Sequence, residues 1–251
     1  MMFIDTHCHL SLEDYDDINK VILENRSNNV SKIIISGCTA ESILESIDIT
    51  SKYDDVFVTI GFHPSEATIT TEKELNMLDK FKEFNKVVGI GEIGLDYHYG
   101  KEDKEKQIEL FSKQLKFAEE NNFPVVIHSR DAVEDTINIL KQYKVRGIIH
   151  CFSGSIETAK RYVSMGYLLG IGGVVTFKNS NLYKVVEEVG LENIVLETDS
   201  PYLAPEPFRG SQNSSKYLVY IVEKIAKTLN VDVAKVAEVT SSNATKLFDL
   251  K

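Results

Sequence analysis

The sequence predicts an α/β chain of the (β/α)8 class, a single TIM barrel over residues 1–251. Three observations lead there. Short apolar, β-branched runs occur eight times along the chain. Longer stretches with helical spacing separate them. The length of 251 residues matches the roughly 250 that eight strand–helix repeats require.

The runs are, in order, Phe3-Ile4, Lys32 to Ile35, Val56 to Ile60, Val87 to Ile90, Val125 to Ile127, Gly147 to Ile149, Leu168 to Ile171 and Ile194 to Leu196. Fully apolar short runs suit parallel strands buried on both faces. Among the intervening segments, Lys104 to Asn121 places Ile108, Phe111, Leu115 and Ala118 three and four residues apart, which predicts one apolar face on a charged helix. Asp131, before Ala132-Val133 and three residues ahead of Glu134, reads as an N-cap. Residues Ser211 to Lys251 read as two closing helices. An open doubly wound sheet is the alternative, but no Gly-x-Gly-x-x-Gly follows the first strand. Gly170, Gly172 and Gly173 miss that spacing and read as tight turns.

Composition narrows the function classes. With 43% hydrophobic and 26% charged residues, the chain is neither disordered nor fibrous. Three cysteines do not make a disulfide framework, and a reducing compartment is expected. Against 38 acidic residues stand 28 basic ones, a net charge of −10. That excludes a broad basic face for nucleic acid, so an anionic substrate would need a local positive centre. No apolar run of about 18 residues exists, and the first residues, MMFIDTHCHL, lack a signal-peptide pattern. The expectation is a soluble cytoplasmic protein with no membrane partner; the sequence does not give an oligomeric state.

What closes each run carries the chemistry. The first ends in Asp5-Thr6-His7-Cys8-His9, the third in Gly61-Phe62-His63-Pro64, and the fourth in Gly91-Glu92-Ile93-Gly94-Leu95-Asp96. The fifth ends in His128-Ser129-Arg130-Asp131, the sixth in His150-Cys151-Phe152-Ser153-Gly154, and the eighth in Glu197-Thr198-Asp199-Ser200-Pro201. Five of the six histidines sit at such ends, and in a barrel the C-terminal strand ends form the active face.

Alternate strand residues share a face, so His7 and His9 can both address the barrel mouth while Cys8 faces the helices. Glu92, between small neighbours that let backbone approach a ligand closely, can bridge two cations. His128 and His150 follow buried triplets on adjacent strands. Asp199 ends the eighth strand, beside the first once a barrel closes. His7, His9, Glu92, His128, His150 and Asp199 are therefore the candidate metal ligands. Six are too many for one catalytic ion with an open position and fit two. Mixed imidazole and carboxylate donors suit Zn²⁺, Mn²⁺ or Fe²⁺, with Mg²⁺ less at home; the expected cofactor is two divalent ions, Mg²⁺, Mn²⁺ or Zn²⁺. Asp5 and Glu197, each two residues before a ligand candidate, are read as orienting imidazole N–H groups. His63, Arg130, Arg209 and Lys178 are candidate anion contacts. Asp199 is the candidate general base, because the histidines are given to metal.

Taken together, these blocks, with Tyr97, Pro124 to Ile127, Tyr202-Leu203 and Arg209-Gly210, resemble the TatD family of metal-dependent deoxyribonucleases, within the amidohydrolase-like barrels. They run in order from residue 5 to residue 210. The resemblance implies a TIM barrel, a divalent-metal centre held by the same six residues, and phosphodiester hydrolysis on DNA. One stretch departs. The family usually has a basic residue after Arg-Gly and a proline shortly after the following asparagine, whereas Arg209-Gly210-Ser211-Gln212-Asn213-Ser214-Ser215 stands here. The lost charge bears on the grip on nucleic acid, not on the metal residues.

The expected function is a two-metal deoxyribonuclease acting on DNA ends, with single-stranded DNA or ends as partner. The alternative within the same fold is a metal-dependent ester or amide hydrolase, such as an aminoacyl-tRNA deacylase, which would need an acyl pocket. A non-catalytic structural metal site is a third reading, but such sites are closed and commonly rich in cysteine.

Overall fold

β-branched and apolar runs form the strands because their side chains suit a pleated surface covered on both faces. In the computed structural model, which describes residues 2–251, they are β1 (Phe3–Cys8), β2 (Val30–Gly37), β3 (Val56–Ile60), β4 (Val87–Asp96), β5 (Val125–Arg130), β6 (Gly147–Ile149), β7 (Leu168–Ile171) and β8 (Ile194–Leu196). Between them run α1 (Ile18–Ser27), α2 (Ala40–Thr50), α3 (Glu72–Phe81), α4 (Lys104–Glu120), α5 (Val133–Leu140), α6 (Ile156–Ser164) and α7 (Leu182–Val189). Two helices follow β8, α8 (Leu218–Leu229) and α9 (Val233–Phe248), where the sequence places its closing pair. The strands form one sheet in the order β1 to β8, and the pairings resolved are parallel. This is the (β/α)8 TIM-barrel fold. Among the described residues, no helix is long and apolar enough to cross a membrane.

Contacts divide the chain into two compact units, residues up to Ile35 with His150–Lys251, and Ser36–Ile149. In the first, the two ends of the chain meet. The Asp199 N–H donates to the His7 carbonyl at 3.0 Å, and the His9 N–H to the Ser200 carbonyl at 2.6 Å. The fully buried Asp5 carboxylate accepts from the Thr198 N–H at 3.0 Å and the Thr198 hydroxyl at 2.6 Å. After β8, the buried Asn213 side chain donates to the Thr198 and Tyr202 carbonyls at 2.9 and 2.7 Å. The Tyr15 hydroxyl donates to the Asn213 carbonyl at 2.9 Å.

In the second unit, α2 and α3 start in capping boxes, Thr39 with Ser42 and Thr71 with Glu74. On α4, Phe111, Leu115 and Ala118 are buried, but Ile108 is only half-buried. Leu110, Gln107 and Gln114 complete the inward face. The two glutamines act as clamps. Gln107 accepts from the Asp96 N–H and donates to its carbonyl, both at 2.9 Å. Gln114 does the same for Phe62, at 2.7 and 3.0 Å. Both backbone groups of a strand-end residue are thus satisfied by one side chain.

Three local expectations are corrected. Asp131 is not the cap of α5; the cap position is Ala132, with no side-chain bond. A cap residue needs extended backbone, whereas Asp131 has φ +53° and its carboxylate lies 3.0 Å from His98 Nδ1. Gly170 is not a turn but part of β7, where an added Cβ would run into the Glu197 carboxylate; Gly172 and Gly173 do lead into a 3-10 turn, Gly173–Thr176. Gly94, with φ +150°, makes room for the His128 carbonyl rather than for a ligand, so it serves the close approach of β5.

Candidate metal centre

In the first unit, β1 and the ends of β6 and β8 bring together His7, His9, His150 and Asp199. Alternation along β1 puts His7 and His9 on one side, with ring centroids 5.1 Å apart. The His7 ring stacks on His150 at 3.9 Å and 29°. Asp199 Oδ1 lies 3.5 Å from Nε2 of both His7 and His9. Ligand atoms of His7, His150 and Asp199 fall within 4.8 Å of one another. His7 is fully buried and His150 nearly so. Burial pushes the Asp199 carboxyl up, but the His9 hydrogen bond and the His150, His7 and His9 rings outweigh it and hold the group below the usual carboxylate range. Buried imidazoles around one ionised carboxylate are the donor set of a borderline divalent cation.

In the second unit, β4 and β5 bring Glu92 against His128, Glu92 Oε1 lying 2.7 Å from Nδ1. The other ring nitrogen, Nε2, is 3.1 Å from Asp96 Oδ2. A carboxylate flanks each ring nitrogen, and Asp96 can hold the proton on Nε2 when Nδ1, beside Glu92, is given to a metal ion. Asp96 is thus the residue that orients His128, a role the sequence reading missed; the signal was its place four residues after Glu92, on the same face of β4. For Asp96, burial raises the carboxyl, and the bonds from His128 and from the His98 N–H outweigh that and lower it.

His63 joins Glu92 and His128 in a group of closely spaced ligand atoms, with Nε2 3.9 Å from Glu92 Oε1. Its tautomer argues for a different role. The Ser65 backbone N–H donates to His63 Nδ1 at 3.1 Å. An amide N–H can only donate, so the proton of the neutral ring sits on Nε2. His63 therefore presents a donor, which suits an anionic oxygen rather than a cation.

The remaining candidates separate by what they touch. Asp5 holds the Thr198 and His7 backbone, not an imidazole N–H as the sequence reading had it; burial pushes its carboxyl up to about 7. Glu197 Oε1 accepts from the Cys151 N–H at 2.6 Å and lies 3.6 Å from His150 Nδ1, where it can orient that ring. Arg130 and Arg209 are exposed and make no ion pair among the described residues. Arg130 lies 5.5 Å over the Tyr99 ring and Arg209 4.1 Å over Phe177. Lys178, next to Phe177, is exposed.

The three cysteines are free. Burial, then the Asp5 charge, pushes the Cys8 thiol well up, so it stays protonated and is no ligand. Its Sγ points at the Ile34 carbonyl, 3.6 Å away. Cys8→Ser is expected to keep its metal and most of its activity, as read by elemental analysis and turnover of one preparation. Metal lost from a folded variant would reverse the facing of β1.

The model of the family described as TatD related DNase matches residues 4–249. The chain belongs to this family. Among TatD-family relatives, it is 40% identical to the uncharacterized metal-dependent hydrolase YabD of Bacillus subtilis (strain 168), over 98% of this chain and 99% of the relative. It is 34% identical to the uncharacterized metal-dependent hydrolase YcfH of Escherichia coli (strain K12), over 100% of this chain and 97% of the relative. The crystal structure of the TatD homologue YJJV of Escherichia coli K12 aligns with a TM-score of 0.92 at 28% identity, covering 99% of this chain and 98% of that one. The chain is a metal-dependent hydrolase of the TatD family, and its His, Glu and Asp clusters fit a metal site. Against the usual TatD pattern, Asn213 is retained without the proline, and its hydrogen bonds to Thr198 and Tyr202 hold the segment after β8.

Proposed function

We propose that this TatD-family chain is a deoxyribonuclease that hydrolyses phosphodiester bonds at DNA ends, with His7, His9, Glu92, His128, His150 and Asp199 as ligands of two divalent ions. The observation that carries the reading is the state of its positive groups. In a chain with 38 acidic and 28 basic residues, Arg130 and Arg209 sit on site-bearing segments and lie over the rings of Tyr99 and Phe177 rather than in a close ion pair, the Arg130 charge acting on Asp96 from a distance. His63 adds a fixed N–H donor. Such groups are held for an anion that the substrate brings, and guanidinium forks match phosphate oxygens.

When bound, the ions supply Lewis-acid polarisation of the phosphate and a more acidic attacking water. The protein does the rest. Arg130, Arg209 and His63 Nε2 bind non-bridging oxygens and orient the ester. Asp199, held ionised, takes the proton from the attacking water. Asp96 fixes the ring of His128, and Glu197 lies 3.6 Å from Nδ1 of His150.

The test is turnover of labelled single-stranded and duplex oligonucleotides, with and without added Mg²⁺ or Mn²⁺, beside an aminoacyl ester. Metal-dependent release of nucleotides from ends is expected, with little turnover of the ester. The reverse preference would replace this reading with the ester hydrolase. Elemental analysis of Mn²⁺- or Zn²⁺-loaded protein is expected to approach two ions per chain, and a ceiling below one at saturating metal would sink the two-metal scheme.

A further inference from the structure

The segment after β4 carries an exposed aromatic ring that no part of the catalytic scheme uses. Tyr99 is 87% exposed, so the ring is largely open to solvent. It is nevertheless held in place. The Arg130 guanidinium carbon lies 5.5 Å from the ring centroid, and the His98 ring meets it edge-on at 4.9 Å and 82°. His98 is itself fixed, Nδ1 lying 3.0 Å from Asp131 Oδ2 and its backbone N–H donating to Asp96 Oδ1 at 2.9 Å. The Tyr97 N–H donates to the Arg130 carbonyl at 2.9 Å, which ties the segment to the end of β5. One residue then links this ledge to the site, because the other oxygen of Asp96 lies 3.1 Å from His128 Nε2.

An exposed tyrosine backed by a cation, one carboxylate away from a ligand histidine, has the parts of a base-stacking platform: a flat π surface, and a guanidinium able to serve both the ring and a phosphate. We propose that Tyr99, with Arg130 behind it, stacks the unpaired nucleobase adjoining the scissile phosphate. The proposal rests on the nuclease reading above and sharpens it. A base inside a duplex offers no free face, so the substrate at this ledge is a single strand or the end of one. Stacking is tolerant of base identity, so little sequence preference follows from this contact.

The experiment compares Tyr99→Ala, Tyr99→Phe and the parent chain, each loaded with Mn²⁺, on two single-stranded oligonucleotides. One is intact; the other carries an abasic tetrahydrofuran unit at the terminal nucleotides and keeps every phosphate. On the intact strand, Tyr99→Ala is expected to raise KM roughly 5- to 150-fold, the range for losing one base–aromatic stack, and Tyr99→Phe to restore it. Base removal is expected to cost the parent a similar factor. The two losses should not add, so that Tyr99→Ala costs less than about twofold on the abasic strand, far below that stacking range. A KM for the intact strand that Tyr99→Ala leaves at the parent value overturns the platform and spares the nuclease reading. Equal losses on both strands also overturn it, because the ring would then be serving the backbone. Absence of cleavage of either strand by the parent overturns the nuclease reading and the platform with it.

Discussion

Asp199→Asn is expected to lower kcat on a DNA oligonucleotide by at least about 10²-fold, the low end for losing a general base. The histidines that share the site are offered as ligands, and a ligating nitrogen has no lone pair to spare. Asp199 lies within 3.5 Å of His7 and His9 and is held ionised by them and by His150. A carboxylate has two oxygens, so it can serve an ion and a water together. Asparagine keeps the shape and one acceptor oxygen but cannot accept the proton. Metal content of the same preparation should fall less than in a variant with both His7 and His9 replaced. Turnover within about threefold of the parent, well short of the general-base range, would show that Asp199 is not the base.

Glu92→Gln is expected to be as severe for a different reason. Glu92 is 4% exposed, with Oε1 at 2.7 Å from His128 Nδ1 and Oε2 at 3.7 Å from Cys38 Sγ. The amide removes the charge and turns one acceptor into a donor inside a buried site, where such a group finds no ready partner. Outer hydrogen-bond partners of ligands already cost about 10- to 100-fold in affinity or activity, so loss of a ligand should reach the upper end or beyond. A Glu92 that serves both ions, as the sequence predicts, has a sharper consequence for stoichiometry. The variant should then fall from two ions toward none, whereas a ligand of one ion leaves about one. Parental metal content and turnover would return Glu92 to the status of an ordinary buried carboxylate.

The placement of both residues was legible because period and position are properties of the chain itself. A buried apolar triplet followed by His or Asp is visible without coordinates, and alternation along β1 was enough to set His7 and His9 apart from Cys8. What escaped the sequence depended on partners distant in the chain or on backbone conformation. Gln107 and Gln114 read as polar residues on a helix, and only the approach of α4 to Asp96 and Phe62 makes them clamps. Asp131 has a favoured N-cap residue type, yet its left-handed backbone sends the carboxylate to His98. The proton on His63 follows from one amide two residues on, a matter of a local turn. Asp5 was placed at the right depth but given the wrong partner, because its partner is Thr198.

That bond between Asp5 and Thr198 joins residues 193 positions apart, and it sets an order of events during synthesis. The first strand leaves the ribosome early, followed by β2 on one edge, whereas β8, on its other edge, emerges last among the strands. At about 5–20 residues per second, β1 waits roughly 10–40 s for β8. Residues 36–149 form a continuous unit whose contacts can be made in that interval. A chain that terminates before residue 198 leaves Asp5 without the Thr198 bonds and β1 without its neighbour on that edge. Such a product exposes an unpaired strand edge and a carboxylate that favours water, and it lacks Asp199 from the cluster of His7, His9 and His150.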